Sequence, residues 1–320
     1  MKQKGIWLIQ ETSPEQLETL KEIAPEYELI IGWDEDEPNF PLEDIEIIYG
    51  WHKDKVNLLL NNNNSKLKWI QTRSAGVDSI NLSILQEKNI LLTSGSGIFS
   101  IPIAESVFGM LLAYTRGIGF SLRNQLQGNW NRNYQFSELH NSTIMIVGAG
   151  KIGTQVGKIS KAFGMHTIGV TQSGHSSEYM DISIKQEDII DYLKDTDIII
   201  DILPLTDLTK YFFNKTIFDK VKEGSLFINV GRGLTVNTED LIRALDQGKL
   251  AFAALDVFEE EPLSPDSPLW HRDDILITPH ISGRSKHFNK RLFAIFEANL
   301  KAYINDNHLP LNLVDFKKKY

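Results

Sequence analysis

The chain has 320 residues, enough for two domains at about 150 residues each. A net charge of −9 argues against nucleic acid as a partner, because phosphate binding needs a basic face; the lysine run 317–319 reads as a solvated end. There is no cysteine, which excludes disulfides, thiolate catalysis and cysteine-bound zinc.

From the N-terminus, residues 1–5 lead into a short apolar segment that lacks the stretch of a signal peptide. Apolar runs such as 198–200 are far too short for a bilayer, so a cytoplasmic chain without membrane attachment is expected. Strands are expected at residues 5–10, 28–31, 45–49, 67–72 and 90–93, where short apolar runs are bounded by polar residues. A helix is expected at 14–23, with Ser13 as its cap and Pro14 at its first position. The asparagine run 61–64 reads as a loop after a short helix. Residues 101–117 predict a long apolar helix with no charge between Glu105 and Arg116, which suits a core or a subunit interface. Residues 120–128 continue as a helix.

A regular alternation begins at residue 142. Brief apolar runs at 142–147, 167–170, 197–203, 225–230, 251–255 and 275–278 predict buried strands. Helical patterns stand between several of them, at 151–163 and at 238–245, the latter capped by Asn237 or Thr238. A last long helix is expected over 285–305. Strand–helix alternation of this kind implies a parallel sheet with helices on both faces, an α/β fold.

Gly148, Gly150 and Gly153 form G-x-G-x-x-G between the strand at 142–147 and the helix at 151–163. The first glycine permits a tight turn, the second lets a pyrophosphate approach the backbone, and the third allows close helix–sheet packing. The helix opening at Lys151 and Ile152 offers N–H groups and its positive dipole end to phosphates. An acid at the end of the next strand would hold the ribose of NAD. That strand instead exits as Thr171-Gln172-Ser173-Gly174-His175, with no acid before Glu178. The missing acid removes a barrier to the 2′-phosphate and tilts the cofactor toward NADP(H). Thr171 and Ser173 are candidate phosphate donors, or plain loop residues.

Three polar residues follow later strands. Arg232 lies between glycines after the strand at 225–230, Glu261 precedes Pro262 after 251–255, and His280 follows Pro279 after 275–278. Singly, each has an ordinary explanation: a loop anchor, part of the acidic run 259–261, a surface histidine. Together they lie after strands of one sheet, where ligands of open α/β sheets bind. No histidine pair has the helical spacing of a metal hydrolase, so no metal is expected.

Across essentially its whole length the sequence resembles the D-isomer-specific 2-hydroxyacid dehydrogenase family. The resemblance rests on LKWIQTRSAGVD (67–78), Ala104-Glu105, the glycine turn, LPLT (203–206), INVGRG (228–233), ALDVFEEEP (254–262) and TPHISG (278–283). It implies two Rossmann-like or flavodoxin-like lobes with parallel sheets. A dinucleotide domain at 103–286 would be inserted into a substrate domain built from 1–102 and the helix at 287–320. It implies hydride transfer between NAD(P)H and a small 2-keto or D-2-hydroxy acid, of the glyoxylate, hydroxypyruvate, pyruvate or branched class. It places catalysis on Arg232, Glu261 and His280, the substrate carboxylate on Arg232 and the amides of Gly76 and Val77, and the nicotinamide carboxamide beside Asp256. Pro204, Thr206, Val230 and Gly231 fall on the dinucleotide-binding stretches. Histidine suits the proton transfer because its ordinary pKa of about 6.5 lies near working pH.

Trp51, Phe99 and Trp270 are candidates for a side-chain pocket, with core packing as their alternative. The helix at 101–117, with the segment through Trp130, is the candidate contact of a two-fold homodimer. Two alternatives stand: a dinucleotide-sensing, corepressor-like protein, and a phosphoglycerate dehydrogenase. The end at Tyr320 leaves no room for the regulatory domain common in the latter, and no extra basic cluster awaits a substrate phosphate.

Overall fold

Short β-branched runs, each followed by a crossover, build two wholly parallel sheets. The computed structural model describes residues 4–33 and 40–318; residues 1–3, 34–39 and 319–320, which include the start of the N-terminal run and Lys319 of the lysine tail, lie outside. The chain divides into two units, one comprising the residues up to Phe99 and those from Ser285 onward, the other Ser100–Arg284.

The first unit opens with β1 (Lys4–Leu8), α1 (Pro14–Ile23), β2 (Tyr27–Ile31), β3 (Ile45–Tyr49), α2 (Lys53–Leu60), β4 (Trp69–Gln71), α3 (Leu82–Glu87) and β5 (Leu91–Thr93). Its sheet runs β2-β1-β3-β4-β5, the flavodoxin-like order. Helix α1 begins where the sequence places it. Gln16 N donates to Ser13 Oγ (3.3 Å) and Ser13 N donates to Gln16 Oε1 (2.9 Å), so two otherwise orphaned amides are satisfied reciprocally.

The second unit runs α4 (Ser100–Thr115), α5 (Ile118–Leu126), β6 (Thr143–Val147), α6 (Lys151–Ala162), β7 (His166–Thr171), β8 (Ile182–Lys185), α7 (Ile189–Leu193), β9 (Ile198–Asp201), α8 (Lys215–Phe218), β10 (Ser225–Asn229), α9 (Thr238–Asp246), β11 (Leu250–Leu255) and β12 (Ile275–Ile277). Its sheet order is β12-β11-β10-β9-β6-β7-β8. The chain starts centrally at β6, moves outward through β7 and β8, then crosses to β9 and continues the other way. The switch point therefore lies between β6 and β9. Phe213, Phe218 and Phe227 meet in the core beneath, with ring centroids 5.0 Å apart for Phe213 and Phe227 and 5.5 Å for Phe218 and Phe227.

Several boundaries differ from the sequence reading for local reasons. The apolar helix stops at Thr115 rather than at residue 117, because Gly117 adopts a left-handed φ of +64° and turns the chain directly into α5. The strand expected over 197–203 ends at Asp201, where Leu203 N turns back to donate to Asp201 Oδ1 at 2.9 Å. Strand β8 escapes the pattern because only Ile184 of its four residues is buried, as suits an edge strand. Helices α7 and α8 are too short to show a helical period.

The last helix, α10 (Phe288–Asp306), belongs to the first unit. Its Phe296 is fully buried, stacked with its ring 4.3 Å from that of Tyr49 and tilted 5.1 Å from that of Trp69. Beside it, Tyr27 Oη and Tyr303 Oη both donate to Glu46 Oε1, at 2.8 and 3.1 Å, while Lys4 pairs with Oε2 at 3.2 Å. Burial pushes the Glu46 carboxyl up, and hydrogen bonds from Tyr27 and Lys4 more than offset this, leaving it below its ordinary range. Phe296→Ala should cost about 3–5 kcal/mol, the range for removing a buried aromatic ring. Denaturant titration of both proteins checks this, and an unchanged midpoint would argue against a packed α10.

Candidate active site

At the carboxyl end of β6 the chain makes a close approach to a neighbour. Gly148 has φ +101°, and a Cβ there would stand 2.7 Å from the carbonyl oxygen of Ile202, just past β9. The amides of Gly148 and Ala149 both donate to Val170 O at 3.0 Å, which ties the turn to β7. A Cβ on Gly153 would lie 2.9 Å from Gly148 O and 3.0 Å from Ile146 Cγ2, so this glycine lets α6 sit against the sheet. Gly150 differs: a Cβ there would meet no heavy atom of the described residues within 4 Å. The protein itself demands the first and third glycines. The second faces open space, as a pyrophosphate cradle requires.

Helix α6 starts at this opening, with Lys151 and Ile152 in its first turn and no side-chain cap on Gly150. First-turn amides lack intrahelical partners and favour an anion. At the end of β7, Thr171 Oγ1 is buried without a partner among the described residues. Two residues on, Ser173 Oγ lies 3.1 Å from His175 Nδ1. After β9, Thr209 Oγ1 pins the loop, donating to Pro204 O at 2.6 Å and accepting from Thr206 N at 2.8 Å.

Arg232 follows β10 on a closely held turn. Val230 N donates to Asp201 O at 3.1 Å. Gly231 comes so near the β9 loop that a Cβ would be 2.8 Å from Leu203 O, and a Cβ on Gly233 would overlap Phe258 O. Asn229 accepts from Gly231 N (2.9 Å) and donates to Arg232 O (3.0 Å). The half-buried guanidinium of Arg232 donates to Gly231 O at 2.9 Å.

Glu261 and His280 follow β11 and β12, and the structure brings them together. His280 Nδ1 lies 2.7 Å from Glu261 Oε2. Glu261 Oε1 accepts from Phe258 N at 3.1 Å, and its peptide to Pro262 is cis. His280 has φ +54°, a region costly for a non-glycine residue unless its surroundings fix it. Its amide donates to Asp256 O (2.8 Å) and Thr278 O (3.0 Å). The buried Asp256 carboxylate accepts from Thr278 Oγ1 (2.6 Å), Ile281 N (2.9 Å) and Ser282 N (3.0 Å). With Nδ1 engaged, Nε2 is the nitrogen available for chemistry.

Other residues in the frame were not singled out from the sequence. Glu259 accepts from Thr238 N (2.8 Å) and Tyr211 Oη (2.9 Å), anchoring the Glu261 loop to the start of α9. The signal for Asn229 was a polar residue closing an otherwise apolar strand. In the first unit, Ser74 Oγ donates to Gly76 O at 2.7 Å, and among the described residues the amides of Gly76 and Val77 have no protein acceptor. Trp51 and Phe99 pack against the cores of that unit, Phe99 with its ring 5.8 Å from Phe288. Trp270 is 45% exposed and donates to Ser264 O at 2.9 Å. Among the described residues there is no cluster of three metal-ligating side chains, and no helix is long and apolar enough to cross a membrane.

Residues 108–282, more than half the chain, match the NAD binding domain of the D-isomer specific 2-hydroxyacid dehydrogenases. The chain belongs to this family. A D-isomer specific 2-hydroxyacid dehydrogenase family protein from Aeromonas salmonicida is 32% identical, with 98% of this chain and 99% of that one covered and a TM-score of 0.82. A glyoxylate reductase from Aeropyrum pernix is 29% identical, covering 98% of this chain and 97% of its own. The NADPH-dependent glyoxylate/hydroxypyruvate reductase of Sinorhizobium meliloti, in complex with NADP and sulfate, is 27% identical over 99% of this chain and 100% of that one, with a TM-score of 0.81.

The chain is thus an NAD(P)-dependent oxidoreductase of 2-hydroxy acids. Its residues suit the dinucleotide: an open glycine cradle, an uncapped helix start and an unpartnered Thr171 hydroxyl lie around the carboxyl ends of β6 and β7. Gly150→Ala should fold with a nearly unchanged melting temperature yet bind NADPH at least about tenfold more weakly, because the added methyl enters only ligand space. Thermal melts and fluorescence titration check both halves; a lowered melting temperature with unchanged affinity would reverse the assignment.

Proposed function

We propose that the enzyme reduces a small 2-keto acid of the glyoxylate or hydroxypyruvate class to its D-2-hydroxy acid, with NADPH preferred. The observation that carries this is the 2.7 Å His280–Glu261 pair, set after strands of the same sheet as the glycine cradle. The bound dinucleotide supplies the hydride. His280 Nε2 holds the proton that the carbonyl oxygen receives, and Glu261 fixes the ring through Nδ1. Arg232 binds the substrate carboxylate and polarises the carbonyl, a task for which a planar fork is better than a lysine. We also assign the amides of Gly76 and Val77, which have no protein acceptor among the described residues, to binding a substrate carboxylate. Asp256 is assigned to the carboxamide as well as to the His280 loop. Charge developing on oxygen then meets donors already in place.

The NADPH preference rests on the acid-free exit of β7 and on the buried, unpartnered Thr171 hydroxyl. The Sinorhizobium relative, an NADPH-dependent enzyme, agrees with it. The keto-acid class rests on the names of the relatives. We also assign a two-fold homodimer to the α4–α5 face. There Leu126 is 82% and Trp130 92% exposed, which is unusual for large apolar side chains on a monomer. Light scattering at twice the monomer mass is the expected result.

A panel of glyoxylate, hydroxypyruvate, pyruvate, branched 2-keto acids and phosphohydroxypyruvate, each with NADH and NADPH, tests the reaction. Turnover of the first two with NADPH is expected, while NADPH binding without turnover of any would point to a sensor. His280→Ala should lower kcat by about 10²–10⁴ with NADPH affinity retained. Arg232→Ala should raise KM for the keto acid at least about tenfold and lower kcat as well. An effect on cofactor binding alone would remove Arg232 from the substrate.

A further inference from the structure

One buried acid has no part in the chemistry above. Asp201 closes β9 and is fully buried, between Val147 of β6 and Asn229 of β10 in register. Its Oδ1 accepts from Leu203 N at 2.9 Å, and its Oδ2 stands 2.5 Å from Thr235 Oγ1. The same Thr235 oxygen lies 2.6 Å from Arg232 O.

Thr235 has a single hydroxyl proton. A carbonyl oxygen can only accept, so the proton belongs to the contact with Arg232 O. A carboxylate can also only accept, and an ionised Asp201 would leave two oxygens facing each other 2.5 Å apart without a hydrogen between them. One proton shared between both acceptors would give long contacts rather than two short ones. The count closes only if the carboxyl carries its own proton. We propose that Asp201 is a neutral carboxylic acid whose O–H donates to Thr235, which in turn donates to the Arg232 carbonyl, so that Asp201 positions Arg232 for the substrate carboxylate. Asp201 is a positioning residue, and its action on the substrate rests on the role assigned to Arg232 above.

The surroundings agree. Val147 and Asn229 flank Asp201 in register, Leu203 N and Thr235 Oγ1 contact its carboxyl, and none of these residues titrates. The charged residue of the turn, Arg232, joins through its carbonyl, while its guanidinium reaches to Gly231 O. Among the described residues no cation lies within ion-pair distance of Asp201. Burial pushes its carboxyl up to about 7, against the opposing hydrogen bond from Leu203 N. A folded-state value raised above the unfolded one, about 3.9, gives stability that is full below the unfolded value and is lost as pH rises through about 7. Ionisation would break the relay and loosen the Arg232 turn.

Asp201→Asn tests this, because a carboxamide can still accept from Leu203 N and donate to Thr235. Wild type, D201N and T235V are compared at about pH 6 and about pH 8.5, for KM and kcat on the preferred keto acid and for the denaturant midpoint. At the lower pH, D201N should match wild type in KM within about twofold; at the higher pH the wild-type KM should exceed that of D201N several-fold, with the kcat ratio unmoved. The wild-type midpoint should fall relative to D201N across the same interval. T235V, which breaks the chain at both pH values, should raise KM about tenfold at each. Parallel wild-type and D201N behaviour at the two pH values would overturn the neutral acid. A T235V enzyme with wild-type KM would overturn the link to Arg232. If R232A raises KM while wild type and D201N stay parallel, this inference fails and the reading of Arg232 survives. If no keto acid is turned over, that reading fails, and the pH dependence of the midpoints still decides the state of Asp201.

Discussion

A parallel strand cannot pass its chain to a neighbour at the same end. Every strand of the second unit therefore releases its carboxyl end on one edge of the sheet and begins the next crossover there. The site follows from that constraint. The glycine turn follows β6, Arg232 follows β10, Asp256 and Glu261 follow β11, and His280 follows β12. Residues drawn from across the unit line up along one edge because hydrogen-bonded strands leave them no other exit.

Strands also bring their exits uncomfortably close, and the sequence answers with glycine. Gly148, Gly231 and Gly233 each lie where a Cβ would press on another loop's carbonyl. Where the residue is not glycine, the backbone is held instead. His280 keeps a left-handed conformation because its own amide and the next two amides are all bound, two of them by the Asp256 carboxylate. The free energy of ordering this loop is supplied by a buried charge with three donors, which leaves the imidazole itself to face Glu261 alone. Glu259 does the equivalent for the Glu261 loop, through Tyr211 and the start of α9.

Much of this was legible in the sequence. Brief, unbroken apolar runs disclose the strands of a sheet buried on both faces, and the motif order discloses the family. What stayed hidden is geometry that depends on partners far along the chain. Strand β8 presents a single buried side chain, so its pattern is silent. The stop of α4 needed the conformation of Gly117, not merely its identity. Asp201 reads in sequence as one polar residue among isoleucines. Its meaning depends on Thr235, which stands 34 positions later and becomes its partner only when β9 and β10 lie side by side. Similarly, the capping box at Ser13 and Gln16 was readable because both partners lie within one turn.

The Glu46 cluster carries a consequence for biosynthesis. Tyr27 and Lys4 emerge from the ribosome early, but Tyr303, which completes the cluster, lies on α10 and follows the whole of Ser100–Arg284. Until then Tyr49 and Trp69 lack the ring of Phe296 that covers them. The second unit, contiguous in the chain, can close while translation continues, whereas the first waits with an uncovered apolar face. The nascent chain is therefore most exposed to chaperones, and to aggregation, during synthesis of the unit that holds the dinucleotide. A truncation within α10 would leave it in that state permanently.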